Sequence, residues 1–298
     1  MQDLQRKHNQ RFGKLGFRWA IGLAGVLFLA YLAVNGKLQE IRGLVELPHF
    51  LGAAGLLALL AFMISYYEYH GIGPQGGIIR RGPHENIVSL TFDDGPNPIY
   101  TAQILDILKE KGVKASFFVV GENVAKYPEI AKRIVSEGHD IGNHTHSHGK
   151  LVPSTRRVVL RQLNNCDSAI RKASGAGTKL FRPPRGIYSN AVRKLLLEEG
   201  YRIILWTVSS VDWGGLSHKT IFWRVKWFAR KGAIILFHDS GALIRKEGAS
   251  RINTVQALPM IIDHLRQKRG FEIVPVSEML DRLDEEEFVE PEEAFEKA

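Results

Sequence analysis

The chain has a single cysteine in 298 residues, Cys166. One thiol rules out an intramolecular disulfide. It sits in a stretch of helical character, Thr155–Ala173, with no base beside it in sequence, so it reads as a core residue and not as a nucleophile. Acid is also in short supply over most of the chain. The formal net charge is +9, yet the last eighteen residues, Asp281–Ala298, hold nine acids against Arg282 and Lys297. That tail is charged enough, and poor enough in apolar residues, to be expected to be disordered. The remaining body is strongly basic. Either this is a solvated surface or it faces an anionic partner such as lipid head groups or a phosphate-bearing glycan. A basic stripe interleaved with aromatics is not expected, which argues against nucleic acid.

Long apolar runs are confined to the first quarter. Phe17–Val34 carries one charge, Arg18, and Phe50–Tyr67 carries none. Each is near the lower limit for spanning a bilayer as a helix. A cleaved signal peptide fits poorly, because a long basic head precedes the first run and no small-x-small site follows it. A hairpin of two membrane helices is the main expectation. One span plus an interfacial helix, or a buried soluble pair, are the alternatives. The head carries Arg6, Lys7, Arg11, Lys14 and Arg18, and Arg80 and Arg81 follow the second run. That bias would keep both ends of a hairpin in the cytoplasm, whereas a single span would place the rest of the chain outside. Residues 1–70 are therefore expected to be a membrane anchor, 71–85 a linker, 86–280 the catalytic domain and 281–298 the tail. Gly71-Ile72-Gly73-Pro74-Gln75-Gly76 matches a dinucleotide-binding pattern formally, but no strand precedes it and Pro74 opposes a helix there, so it reads as tether.

From Asn86 onward short β-like runs alternate with amphipathic helical ones. The expected strands are Ile87–Phe92, Ala115–Val120, His139–Asn143, Leu180–Arg182, Arg202–Val208 and Ala233–His238, with a further candidate at Glu272–Val276. The expected helices are Ile99–Lys111, Pro128–Glu137, Thr155–Ala173, Asn190–Glu199, Thr220–Arg230 and Asn253–Lys268. This alternation indicates an α/β fold on a mostly parallel sheet, and the number of units suggests an incomplete or distorted (β/α) barrel.

Polar residues gather just after these strands: Asp93 and Asp94, His144 and His148, Arg182–Gly186, Asp212 and Trp213, His238 and Asp239. Strand C-termini of a parallel barrel open on one rim, where active sites sit. Any one of these residues alone would read as a turn or cap; their coincidence is what argues for a site. Asp94, His144 and His148 supply one carboxylate and two imidazoles, the pattern of a catalytic metal with zinc as the default. If the segment is helical, the i, i+4 spacing brings both imidazoles to one side, and His146 points elsewhere. Asp93 is then free to act as general base on the attacking water, with Arg182 pairing to it. His238 is the natural acid for the leaving amine, since a nearby carboxylate would keep its imidazolium available near neutral pH.

Thr91–Gly95, His144–His148, Arg182–Gly186, Asp212-Trp213 and Leu236-Phe237-His238 stand in the order of the five motifs of the polysaccharide deacetylases, carbohydrate esterase family 4. The resemblance covers about Asn86 to Leu280, and its motifs are highly specific in combination. It implies a distorted (β/α) barrel, Asp93 as catalytic base, and Asp94, His144 and His148 as metal triad. It further implies Arg182 as brace of the base, His238 as acid and Asp212 as the carboxylate that tunes it. The backbone N–H at Arg185 would stabilise the oxyanion, and Trp213 and Leu236 would wall a pocket for the acyl methyl. Three positions depart from the family habit: Ser209 replaces an aspartate, Arg185 a tyrosine, and His146 an aromatic.

The resemblance implies hydrolysis of N-acetyl groups from amino sugars of a cell-wall or surface glycan, which requires the domain outside the cytoplasmic membrane. The alternative hydrolytic reading is deacylation or deformylation of a sugar on a polyprenyl phosphate at the inner face. A non-catalytic glycan-binding protein is the reading from another class, and such a protein should have lost a ligand, the base or the acid. Co²⁺, Mn²⁺ or Ni²⁺ could occupy the same triad as Zn²⁺.

Overall fold

A computed structural model of the chain describes residues 52, 55–60, 62–63, 76–241 and 250–289. The chain divides into two compact units, residues 1–70 and 71–298. In the first, the expected span Phe17–Val34 lies outside the described residues. Of Phe50–Tyr67, the described residues are helical, with apolar side chains such as Leu56 and Met63 exposed. Among the described residues no helix is long and apolar enough to cross a membrane.

Among the described residues, the second unit is built on a parallel sheet of nine strands: β1 (Ile78–Ile79), β2 (Ile87–Asp93), β3 (Ser116–Val119), β4 (Asp140–Asn143), β5 (Leu180–Phe181), β6 (Arg202–Ile204), β7 (Val208–Ser209), β8 (Ala233–His238) and β9 (Glu272–Ile273). They run in the order β1-β6-β5-β4-β3-β2-β8-β7, with β9 also pairing with β2. Helices α1 (Tyr100–Lys111), α2 (Gly121–Lys126), α3 (Pro128–Ser136), α4 (Arg156–Ser174), α5 (Asn190–Glu198), α6 (His218–Phe228), α7 (Ile252–Asp263) and α8 (Val276–Val289) alternate with the strands. Their limits follow local chemistry. Asn97 Oδ1 accepts from the amides of Ile99 and Tyr100 to start α1, and Gly112 ends it in the left-handed region. The hydroxyl oxygens of Thr155, Ser189 and Ser217 accept from the amides of Val158, Val192 and Thr220 and so cap α4, α5 and α6.

The period-2 alternation of β2 sets the site. Val88, Leu90 and Phe92 join one hydrophobic cluster with α1 and α7, and Phe92 stacks between Phe117 and Phe237 at 5.1 and 5.5 Å. Each such ring contributes about 1.5–3 kcal/mol by leaving water. The intervening residues, Ser89, Thr91 and Asp93, alternate to the opposite face. That face belongs to a second cluster containing Phe118, Phe181, Leu236 and Met279 of α8. Asp93 is thus the last residue of a fully buried strand, on the polar file of that inner face.

Several expectations are corrected. Arg202–Val208 is not one strand. Arg202–Ile204 pairs with β5 and β1, Val208–Ser209 pairs with β8, and residues 205–207 cross between the two ends of the sheet. Leu205 N–H donates to Ile79 O and Thr207 N–H to Ile234 O, so the crossing links the two ends of the curled sheet without a continuous ladder. Apolar composition alone does not reveal this change of partner. The segment expected as a linker contributes β1 to the sheet, and Gly82 N–H donates to Gly232 O. Of the tail expected to be disordered, residues 281–289 continue α8, and Asp284 pairs with Arg202 at 2.8 Å; the remainder lies outside the described residues. The expected helix Asn253–Lys268 ends as α7 at Asp263 and continues as a π turn, His264–Lys268. Helix α2 was not expected.

Candidate active site

The C-terminal ends of β2, β4, β5, β7 and β8 bring the motif residues together. Asp93 and His238 are register partners on adjacent strands. Asp94, just beyond β2, adopts φ 79°, which turns its side chain away from that of Asp93. Gly95, next in the chain, and Gly241, on the segment after β8, leave no room here. A β-carbon on Gly95 would stand 2.1 Å from Asp239 Oδ2, and one on Gly241 would stand 2.6 Å from Asp94 Oδ2.

The His144–His148 segment is a loop, not a helix, which corrects the i, i+4 argument. Convergence comes instead from left-handed backbone at Thr145 (φ 70°) and His148 (φ 51°). Asn143 Oδ1 accepts from Thr145 N–H, and Gln162 Oε1 accepts from the amides of His146 and Ser147, pinning the loop. His144 Nε2 and His148 Nε2 end 3.5 and 3.1 Å from Asp94 Oδ1. His146 turns back against Gly121, where a β-carbon would meet its Nδ1.

Among the described residues, Asp94, His144 and His148 form the group able to hold a metal ion, with ligand atoms within 4.8 Å of one another. The donor chemistry fits a divalent cation. His144 Nδ1 is 2.7 Å from Arg182 O; a carbonyl only accepts, so Nδ1 carries the proton. In the neutral ring the Nε2 lone pair therefore faces Asp94, an arrangement that favours a cation between them. Burial, aided by His144 and Arg185 against the pull of Asp94, pushes His148 down to about 4, so it is a neutral donor at physiological pH. Burial raises the Asp94 carboxyl, but the imidazoles of His144, His238 and His148 outweigh it and hold Asp94 well below the usual carboxylate range.

Arg182 is fully buried and explains Asp93. Its Nη1 donates to Asp93 Oδ1 at 2.6 Å and to Thr91 Oγ1 at 2.8 Å, while Nε and Nη2 donate to the carbonyls of Ile204 and Leu205. Its guanidinium lies over the Phe118 ring at 4.0 Å. With Oδ1 occupied, Asp93 Oδ2 is the oxygen turned to the metal group, 3.8 Å from His144 Nε2.

Asp212 grips His238 twice: Oδ1 meets ring Nδ1 at 2.8 Å, and Oδ2 accepts the backbone N–H at 2.8 Å. Thr254 Oγ1 donates to the same Oδ2. Burial lowers the imidazole, but Asp212, with Asp94 and Asp93 further off, overcomes this and lifts His238 to about 9. Asp212 is in turn held below the carboxylate range by His238 and Arg251 against its burial. Ser209, where the family often has aspartate, accepts from Val211 N–H and so still braces this loop.

Arg185 holds φ 58° in the turn Pro184–Gly186, and its charge reaches His148. Leu236 is buried in register with Thr91 and Ser209. Trp213 is 38 % exposed on the rim. Sequence reasoning missed the supporting residues. Thr91 was inside a motif and its β-branched hydroxyl beside Arg182 was a usable signal; Thr254 and Arg251 carried none. Asp239 was noted only as a neighbour of His238. It is fully buried, takes Thr101 Oγ1 at 2.6 Å, and is pushed up to about 7 by burial and by Asp94 and Asp93 against that bond.

The polysaccharide deacetylase model matches residues 80–204. A peptidoglycan-N-acetylglucosamine deacetylase of Bacillus cereus is 36 % identical over 220 residues, covering 70 % of this chain and 94 % of that protein. Another from the same organism is 39 % identical over 63 % of this chain and 66 % of its own length. A chitooligosaccharide deacetylase of Sinorhizobium fredii is 38 % identical over 64 % of this chain and 91 % of its own. Among solved structures, a peptidoglycan N-acetylglucosamine deacetylase bound to 4-naphthalen-1-yl-N-oxidanyl-benzamide superposes with a TM-score of 0.64 at 37 % identity, covering 68 % of this chain and 92 % of that one. A CE4 family pseudoenzyme from Bacillus anthracis also superposes, with a TM-score of 0.62 at 29 % identity over 69 % of each chain.

Proposed function

The chain belongs to the polysaccharide deacetylase family, and from that premise we propose that it is a metal-dependent hydrolase removing N-acetyl groups from amino sugars of a cell-wall glycan. Because the fold is shared with a pseudoenzyme, the proposal rests on side chains and not on the barrel. The observation that carries it is the pairing of two opposed proton-transfer groups, Asp93 on Arg182 and His238 on Asp212, around the Asp94, His144 and His148 group.

The three ligands suit Zn²⁺, with Co²⁺, Mn²⁺ or Ni²⁺ as substitutes. A divalent cation there supplies Lewis-acid polarisation of the amide carbonyl. Asp93 Oδ2 takes a proton from the attacking water, while Arg182 keeps Oδ1 engaged and fixes the carboxylate plane. His238, protonated through its pairing with Asp212, gives its proton to the departing sugar nitrogen. The N–H of Arg185, set by its left-handed backbone, is the donor proposed for the developing oxyanion. Leu236 and Trp213 are proposed to wall the acyl methyl group.

Membrane anchoring through the two apolar runs, with the catalytic unit outside the cytoplasm, is part of the same proposal. It is supported by the length of the runs and by relatives that act on peptidoglycan. The test is acetate release from chito-oligosaccharides and peptidoglycan fragments, beside a polyprenyl-linked amino sugar, with and without chelator. Activity unchanged in Asp93→Asn or His148→Ala would sink the site assignment. A reporter fused after Tyr67 that reads cytoplasmic would sink the wall-glycan reading and favour the lipid-linked sugar.

A further inference from the structure

Helix α6 and the turn after it carry an apolar surface that the catalytic site does not use. Trp223 and Trp227 are 48 % and 64 % exposed, and Phe228 is 47 % exposed. Trp223 and Trp227 are four residues apart, so they share one helical face. Between Asp212 and Asp239 the chain has no acid, and it has Lys219, Arg224, Lys226, Arg230 and Lys231. Lys226 Nζ lies over the Trp223 ring at 4.2 Å, so the cation and the ring present together. Arg269 donates to Ala229 O at the end of the helix, adding a further charge. This corrects the expectation that no aromatic-interleaved basic stretch is present.

The position of this surface identifies its partner. All nine strands are parallel, and the catalytic residues stand at their C-terminal ends. The turn after α6 leads into the N-terminal end of β8, so Trp227, Phe228, Arg230 and Lys231 stand toward the opposite end of the barrel. The chain enters the unit at this same end. Gly82 N–H donates to Gly232 O, and Arg81 bridges to Ala233. Exposed Trp and Phe flanked by Lys and Arg match the composition that seats a helix in the head-group region of a bilayer.

We propose that the Trp223/Trp227 face of α6 docks on an anionic lipid surface, and that it holds the catalytic rim turned away from that surface. The docking does not depend on the deacetylase assignment. The orientation it gives favours a polymeric glycan over a lipid-linked sugar.

The test uses the full chain in vesicles of phosphatidylcholine, or of phosphatidylcholine with phosphatidylglycerol, each with and without brominated acyl chains. The protein's five tryptophans are Trp19, Trp206, Trp213, Trp223 and Trp227. Subtracting the emission of Trp223→Phe/Trp227→Phe from that of the native chain isolates the two helix residues. Docking predicts that this difference emission is quenched by bromolipid in the anionic vesicles. It also predicts that Lys226→Gln/Arg230→Gln/Lys231→Gln loses most of the quenching. Difference emission that bromolipid leaves untouched overturns the proposal. So does difference emission that responds to protein concentration, which indicates a second copy, or to an added oligonucleotide, which indicates nucleic acid. Trp19, in the first apolar run, remains in the variant. Trp206 and Trp213 remain with it, so a further Trp19→Phe difference isolates its quenching and reads failure of anchoring separately from failure of docking.

Discussion

Asp212 binds His238 through both carboxylate oxygens, one to the ring and one to the backbone amide, and so fixes the imidazole's charge and its position together. Removing the ring in His238→Ala should cut kcat by roughly 10²–10⁴. The pH profile is more diagnostic. As the proposed acid, His238 must be protonated to act, so activity should fall as pH rises through its folded value of about 9, or somewhat lower once a cation sits at Asp94. Asp212→Asn should move this alkaline limb toward acid. An unmoved limb would remove His238 from the role of acid. The same raised value gives stability that is complete below about 6.5 and lost as pH climbs through about 9.

Loading of the Asp94, His144 and His148 group should be visible without any assay of turnover. Binding to the folded state alone raises Tm, by about 2.7 kcal/mol of stability at a hundredfold excess over Kd. Calorimetry with Zn²⁺ and with chelator should show that rise in the native protein and lose it in His148→Ala. A native protein whose Tm ignores Zn²⁺ would contradict the site.

Arg182 is buried against Asp93, with its remaining donors spent on Thr91 and two carbonyls. Arg182→Met strands a buried carboxylate and should cost about 3–5 kcal/mol in chemical denaturation. Asp93→Asn/Arg182→Met should recover part of that loss while remaining inactive. A double variant no more stable than the single one would show that the guanidinium's other contacts carry the cost.

Asp239 should respond in the opposite sense to an ordinary surface carboxylate. Its folded value of about 7 lies above the unfolded 3.8, so its contribution is complete below about 3.8 and declines as pH rises to about 7. Asp239→Asn should flatten that decline, by at most about 4 kcal/mol between the two limits. Thermal melts from pH 4 to pH 8, compared with the native chain, measure it. A native decline that persists in the variant would place its origin elsewhere.

Much of this site was legible because chemistry and strand ends coincide in the sequence. Asp93, Asp94 and His238 stand at the ends of apolar β-like runs, and the C-terminal ends of parallel strands share one rim. The histidine pair was found for a partly wrong reason: the spacing suggested a helix, whereas Thr145 and His148 reach the same convergence through left-handed backbone that spacing does not encode. Residues acting through long-range contacts were the least visible. Thr254 reaches Asp212 across 42 positions, and nothing local distinguishes it from any helix threonine. The split of Arg202–Val208 was hidden for a related reason, since apolar residues are needed on both sides of the seam.

The pairing of Asp93 with His238 has a consequence for how such a domain can change. The proposed base and acid belong to neighbouring strands joined by six register pairs, from Val88–Ala233 to Asp93–His238. Their separation is governed by the spacing of hydrogen-bonded strands, about 4.8 Å, rather than by any loop. The rim segments that meet the sugar can therefore be lengthened, shortened or exchanged while the proton-transfer distance stays constant. Substrate range and chemical step are carried by different parts of the backbone, and a new glycan preference could be grafted without rebuilding the reaction.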